Sequence, residues 1–207
     1  MMDLNDGVII NSIFYNLIEL EKDCWNRLVN GAIRGRDAFH TPCVGSISNG
    51  EVSMRTMVLR KALPIERVLR FHTDIRSRKW EELALNQSIS ALFYDASARI
   101  QLRVKGKAKL HYDDDITSEA WQKTALSSRR SYLTKNPPSS FSDIPTSGLS
   151  ENIEQEKFTL EESEVGQEHF GIVAIQVESI DWLWLNHAGH RRAFFDYISD
   201  EYHWMVP

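Results

Sequence analysis

Only two cysteines, Cys24 and Cys43, occur in 207 residues, so no disulfide framework staples this chain and no zinc ligand set is present. No apolar run approaches the roughly 18–20 residues a membrane-spanning helix needs, which predicts no membrane partner. The first residues, Met1-Met2-Asp3, lack the basic-then-apolar progression of a secretory leader. With so few cysteines, that predicts a cytoplasmic location. A glycine-rich phosphate loop, a G-x-S-x-G elbow and a dinucleotide fingerprint are all missing. Basic excess is missing too, and a net charge of −5 argues against a nucleic-acid protein.

What is there is a globular composition in a length that suits one domain with a buried core. Charge is spread unevenly along it. Between Asn136 and Glu168 eight acidic residues stand against one lysine, which leaves the rest of the chain at net +2. That segment also carries Pro137-Pro138, Ser139-Ser140 and Pro145, so it predicts a long, mobile acidic insertion with about one helical turn. It reads as either a solvated insertion or a functional lid. The mildly basic remainder suits a small phosphorylated ligand without requiring one.

Apolar residues recur at three- and four-residue spacing from Ile10 to Val29, predicting one amphipathic helix with Cys24 and Trp25 in its stripe. Asn49-Gly50 between Val44–Ser48 and Glu51–Arg60 is a hairpin signal, because both residues tolerate the positive φ of a tight turn. Val68–Thr73 reads as a strand. Asp74–Asn86 reads as a helix capped by Ser77, with Trp80, Leu83 and Ala84 buried. Ile89–Tyr94 and Arg99–Tyr112 read as strands, the second alternating apolar and basic residues with a bulge or bend at Gly106. Thr117–Arg130 predicts a second amphipathic helix; Phe170–Val177, Ile180–Leu185 and Arg191–Tyr197 predict strands. Together these give an α+β, mostly β chain folded as an antiparallel barrel with flanking helices.

Three groups could carry chemistry. In Arg55-Thr56-Met57-Val58-Leu59-Arg60, two arginines bracket an apolar strand, either as exposed strand ends or as forks for phosphate oxygens. In Thr73-Asp74-Ile75-Arg76-Ser77-Arg78-Lys79, three cations crowd a helix start whose own dipole disfavours them. An anion bound there would reverse that conflict. Third, Trp182-Leu183-Trp184 leads through a turn to His190-Arg191-Arg192, either an amphipathic hairpin with a basic rim or a stacking surface with cations.

In this order the groups resemble the pyridoxamine 5′-phosphate oxidase-like FMN-binding split barrels. RTMVLR resembles that family's Arg-x-x-x-Leu-Lys strand, with Arg60 in place of Lys; FHTDIRSRKWEEL resembles its Ser-Arg-Lys segment, with His72 where Tyr is common. NQSISALFY, QLRVKGKAKL and WLWLNHAGHRRAFF resemble the strands that follow, and the tail from Trp204 to Pro207 resembles its Pro-terminated end. The compact Arg-Arg ending and the acidic insertion look most like the Alr4036-type subgroup. The resemblance covers most of residues 40–130 and 169–207.

It implies a split barrel that forms a homodimer with FMN at the subunit interface. Arg55, Thr56, Met57, Val58, Leu59 and Arg60 would line the ribityl phosphate and ring edge, with His72 and Thr73 beside the isoalloxazine. Ser77, Arg78 and Lys79 would bind phosphate, Gln101 would hydrogen-bond the ring, and Arg192 with Trp182 or Trp184 would close the site from the partner. On the substrate side it implies Arg60, Arg129 and His190; but Ala125 and Leu133 stand where that family's oxidases place a Tyr and a Ser against the substrate phosphate. The implied function is an FMN-dependent oxidoreductase acting on a small molecule, with no side chain required as acid or base. A non-catalytic flavin-binding or carrier module is the alternative, and a partner-binding barrel with an exposed apolar patch is a third reading.

Overall fold

A computed structural model describes residues 7–207, so the acidic start Met1-Met2-Asp3 lies outside the described residues. The chain folds as an open antiparallel barrel flanked by helices, as the patterning predicts. Its frame is a nine-stranded sheet in the order β11-β10-β9-β8-β7-β3-β4, with β6 also paired to β9 and β5 to β6. The strands are β3 (Cys43–Ser48), β4 (Glu51–Thr56), β5 (Leu59–Leu63), β6 (Val68–Asp74), β7 (Ser88–Asp95), β8 (Ile100–His111), β9 (Phe170–Trp184), β10 (Arg191–Asp196) and β11 (Glu201–Met205). Strands β1 (Val8–Ile10) and β2 (Ile13–Tyr15) form a separate hairpin.

The 15-residue β9 splits the barrel. β8 runs along one edge of it throughout, while its other edge pairs first with β6 and then with β10. The sequence divides β9 at Glu178-Ser179, because the alternation slips there; the slip is the partner of a bulge between Lys105 and Gly106. Gly106 marks that bulge as expected, for a Cβ there would stand 2.0 Å from the Gln176 carbonyl oxygen.

Four further boundaries differ from the patterning, each for a local reason. The first helix, α1, runs Leu17–Ile33 rather than from Ile10. Asn11 and Ser12 both take positive φ (50° and 68°) to turn the β1–β2 hairpin, and Asn16 closes a capping box with Glu19. The expected strand Glu51–Arg60 breaks at Met57-Val58, where the Met57 and Leu59 N–H groups donate to the carbonyls of Pro42 and His40. Helix α2 spans Arg78–Leu85, four residues shorter at its start than expected, because Asp74 still belongs to β6; it buries Glu82 and Leu83, leaves Ala84 exposed and Trp80 half-buried. The predicted helix Thr117–Arg130 is α3 (Asp115–Lys123), then a break, then the single turn α4 (Leu126–Arg129).

The Asn49-Gly50 turn takes the positive φ values its residues allow (51° and 84°). Residues 151–169 carry more helix than expected, in α5 (Glu151–Glu154), α6 (Leu160–Ser163) and a 3₁₀ stretch, Glu164–His169. Glu164 ties this part to the body by accepting from Trp121 Nε1 (2.8 Å) and from Arg129. No helix among the described residues is long and apolar enough to cross a membrane.

The inward faces of the sheet, with Leu59, Phe71, Phe93, Leu102, Ile180 and Phe195, form the main core, covered on one side by Leu20, Cys24, Trp25 and Leu28 of α1. A second, smaller cluster of Trp121, Tyr132, Phe170 and Ile172 fastens α3 to the far side of β9.

Candidate functional site

The turn between β6 and α2 is built around Asp74. Its carboxylate accepts from Arg76 Nη2 (2.6 Å), Arg76 Nε (3.0 Å) and the Arg76 backbone N–H (2.8 Å). Arg76 also reaches Thr134, donating to its carbonyl and to Oγ1, each at 3.1 Å. The cation that the sequence leaves looking for an anion is thus satisfied inside the chain, as a strut. Ser77 does not cap α2 as expected either. Its hydroxyl donates back to the Asp74 carbonyl (2.6 Å), so no side chain caps the first turn of the helix.

The two cations of that first turn are placed differently. Arg78 is exposed and has no ion-pair partner among the described residues. Lys79 is half-buried and gives one hydrogen to Thr73 Oγ1 (3.1 Å), keeping two for a ligand. Burial, then the neighbouring Arg55 charge, pulls the Lys79 pKa down. A cluster of cations with so little counter-charge is poised to take an anion.

Arg55 comes to the same place from β4. It donates to Ser46 Oγ (2.6 Å), Ser53 Oγ (2.6 Å) and Glu82 Oε2 (2.7 Å). That leaves its Nε hydrogen and one Nη1 hydrogen for another acceptor. Burial pushes Glu82 up, and the hydrogen bonds from Ser46 and Arg55 more than offset it, so the carboxyl titrates below its usual range. Glu82 itself sits in the second turn of α2. Nothing in its spacing announces a partnership across 27 residues.

Arg55, Thr56, Ser77, Arg78 and Lys79 line one cleft of about 660 Å³, whose other walls include Ser53, Glu82, Pro138 and Ser139. A second cleft of about 490 Å³ lies further along β5 and β6, lined by Arg60, Lys61, Arg70 and His72 with Ala120, Ala125, Ser128 and Ile172. The segments Thr56–Arg60 and His72–Ser77 run from one cleft to the other. His72 meets Phe170 edge-on at 4.8 Å, and burial, then the Arg60 charge, lowers its pKa to about 4. It is therefore a neutral imidazole near pH 7.

The other predicted residues divide. Met57 and Leu59 are buried in the core with their N–H groups engaged, so neither side chain lines a cleft; Val58 between them is half-buried. Gln101 and Arg192 line neither cleft, but both lie on the outer face of the sheet in one cross-strand row, Tyr94–Gln101–Leu183–Arg192. Arg192 is forked onto Asp181 (3.0 and 2.7 Å), which also accepts from Arg103. Trp182 is fully buried, with its Nε1 unpartnered, whereas Trp184 is half-buried at the strand end. His190 is exposed in the β9–β10 turn.

Arg129 is not at either cleft. It is 3% exposed, stacks over Trp121, and donates to the carbonyls of Thr124 (3.2 Å) and Trp121 (2.9 Å), to Ser163 (3.2 Å) and to Glu164. Those contacts make it a fastener for the end of the acidic segment. Its spacing on the helix could not reveal this, because Ser163 and Glu164, which tie it to the acidic segment, lie 34 and 35 positions away.

Residues 22–112 match the family model for the pyridoxamine 5′-phosphate oxidase, FMN-binding domain. That stretch holds the first cleft's cations and Gln101, and ends before Arg129, Trp182, Trp184, His190 and Arg192. Among solved structures, a pyridoxamine 5′-phosphate oxidase-related, FMN-binding protein from Nostoc punctiforme PCC 73102 aligns with a TM-score of 0.72 at 20% identity, covering 90% of this chain and 97% of its own. PhzG from Burkholderia lata 383, solved in complex with tetrahydrophenazine-1-carboxylic acid, aligns at 0.65 and 13% identity over 100% of this chain and 97% of its own. A protein related to general stress protein 26 from Clostridium acetobutylicum aligns at 0.51 and 14% identity, covering 87% and 99%. No curated protein matches the sequence. These likenesses establish the fold.

Proposed function

We propose that this chain, which has the fold of the pyridoxamine 5′-phosphate oxidase-like FMN-binding superfamily, binds FMN and acts as an FMN-dependent oxidoreductase. One observation carries the reading: Arg55, Ser77, Arg78 and Lys79 share a cleft in which donor hydrogens outnumber internal acceptors. The group fits the residues present. Arg78, two hydrogens of Lys79, the uncapped first turn of α2 and the remaining hydrogens of Arg55 together suit a dianionic phosphate.

Bound flavin would supply a two-electron acceptor, and the protein's part is binding, orientation and electrostatics. The first cleft anchors the phosphate. Thr56, Val58, Thr73 and His72 lie along the path from there to the second cleft, where Arg60 places a cation against a neutral His72. A pocket of about 490 Å³ suits a small-molecule substrate. Ala125 brings no polar group to it and Arg129 is sequestered, which favours a substrate other than pyridoxamine phosphate. The finer subgroup, Alr4036-type, belongs to the same proposal.

The homodimer belongs to it too. The outer face of β4, β3 and β7 exposes Val52, Met54, Ile47, Leu92 and Tyr94, an apolar patch continuous with the Gln101–Leu183–Arg192 row. A second copy seated there would bring its own Arg192 to this chain's flavin, whereas Trp184 packs on the core side of the sheet. Light scattering that returns a monomer would remove this part of the reading.

Purified protein is expected to be yellow, or to take up FMN with perturbed flavin absorbance; colourless protein at saturating FMN sinks the cofactor assignment. Arg78→Ala is expected to weaken FMN by about 1.5–3 kcal/mol, the range for a hydrogen bond to a charged group. An unchanged Kd by fluorescence titration would place the phosphate elsewhere. Reduction of the bound flavin by NAD(P)H or an amine, with reoxidation by oxygen, separates an oxidoreductase from a flavin carrier.

A further inference from the structure

The geometry points to the loop 135–148 as a movable wall of the phosphate cleft, with Ser139 as a further ligand of the cofactor phosphate. The inference rests on the FMN reading above. Pro138 and Ser139 face the same cleft as Arg55, Ser77, Arg78 and Lys79. They come from the front of the acidic segment, some sixty residues beyond the turn that carries the cations. The loop's own front, residues 135–148, contains a single acid, Asp143, so it can approach an anion without repelling it.

Two devices hold its base. Arg76, forked onto Asp74 within the cation turn, clamps Thr134 through both its carbonyl and its hydroxyl. The Lys135 N–H donates to the Gly148 carbonyl (3.0 Å), which closes the loop on itself, with Gly148 at φ +73°. Between those ends the hydrogen bonds are local. Ser140 gives its N–H and hydroxyl to Pro137, Ser142 and Ile144 bond each other, and Gly148 bonds Thr146. Residues 139–147 are exposed, Phe141 to 98%, and a hollow of about 730 Å³ separates the loop from Arg130, Ser131 and Thr134. A segment with firm ends, no packed tip and only local bonds opens at low cost.

The arrangement makes the loop a gate keyed to phosphate. Ser139 shares the cleft with Arg78 and Lys79, and a phosphate held by all three would bridge wall to cradle. Because Arg76 joins the loop base to the cation turn, filling that turn and closing the loop are mechanically linked. A flavin without phosphate has nothing for the gate to grip.

Three measurements on the full-length protein test this, with riboflavin as the phosphate-free probe. Chymotrypsin cleavage after Phe141 is expected to slow when FMN is bound and to stay unchanged at equal riboflavin occupancy. Replacing residues 136–147 by Gly-Gly, across ends already in hydrogen-bond contact, is expected to speed FMN release about tenfold or more, and riboflavin release less than twofold. Ser139→Gly, which relieves a positive φ and so does not threaten folding, is expected to speed FMN release about threefold. Wild-type protein that binds FMN, with unchanged cleavage and with release rates unaltered in both variants, overturns the gate and leaves the cofactor assignment standing. Wild-type protein that binds no FMN overturns both.

Discussion

Arg55→Ala lowers the unfolding free energy by about 1–3 kcal/mol at pH 7, the cost of leaving a carboxylate at the cleft wall without its charged donor. The stranded group is Glu82, 9% exposed and sharing one oxygen between Arg55 Nη2 and Ser46 Oγ. With Arg55 gone, burial acts on the carboxyl with only serine hydroxyls left to oppose it, so its pKa rises. The variant's deficit should therefore shrink as the pH falls and Glu82 becomes neutral. Arg55→Ala combined with Glu82→Gln should recover most of the stability, because a neutral amide can stay buried against Ser46. Urea melts of the four members of this cycle read the coupling directly. Additive losses would show that Arg55 and Glu82 act independently. FMN affinity then separates the two roles of Arg55: the double variant should fold yet bind FMN weakly, and full affinity would confine Arg55 to structure.

Arg55 marks the boundary between what a local stretch of sequence announces and what only the fold supplies. Alternation along Ile100–His111, the Asn49-Gly50 turn and the bulge at Gly106 are local signals, and the structure follows them. The cation-rich turn was legible for the same reason, since charges against a helix dipole can be counted within seven residues. Satisfaction was not legible. Arg76 looks identical to Arg78 in sequence, yet it folds back onto the Asp74 carboxylate and reaches a threonine 58 positions away, which removes it from the pool of free cations. Arg129 sits at the spacing of a substrate ligand, but α3 ends at Lys123 and the chain bends, so its guanidinium turns inward to Glu164. The two tryptophans show the same limit. One residue of strand parity separates Trp184 from Leu183, but only the register with Ile100 and Arg191 shows which side of the sheet each occupies. Pairings across dozens of residues follow from topology, and the β9 branch that sets this topology is hidden by the bulge that interrupts its pattern.

Acidification provides the second large effect, through His72. Its pKa in the folded chain, about 4, lies below the ordinary histidine value of 6.5, so between those pH values the unfolded chain binds the extra proton. Stability is then fully present above about pH 6.5 and falls as the pH drops toward 4, by on the order of 3 kcal/mol for this residue alone. Burial is the larger cause and Arg60 the smaller. His72→Phe removes the titration while keeping an aromatic ring against Phe170. Between pH 7 and pH 4 the wild type should thus lose on the order of 2–3 kcal/mol more than this variant. Carboxylate titrations are common to both proteins and cancel in the difference. Arg60→Ala should shift the histidine's midpoint upward, since one of its two depressing influences is gone, and an NMR titration of the imidazole reads that shift. Equal pH slopes for wild type and His72→Phe would mean that His72 is protonated in the folded chain as easily as in the unfolded one. Below about pH 6.5 the second cleft would then present a cation beside Arg60 rather than a neutral ring, and would suit a more strongly anionic substrate.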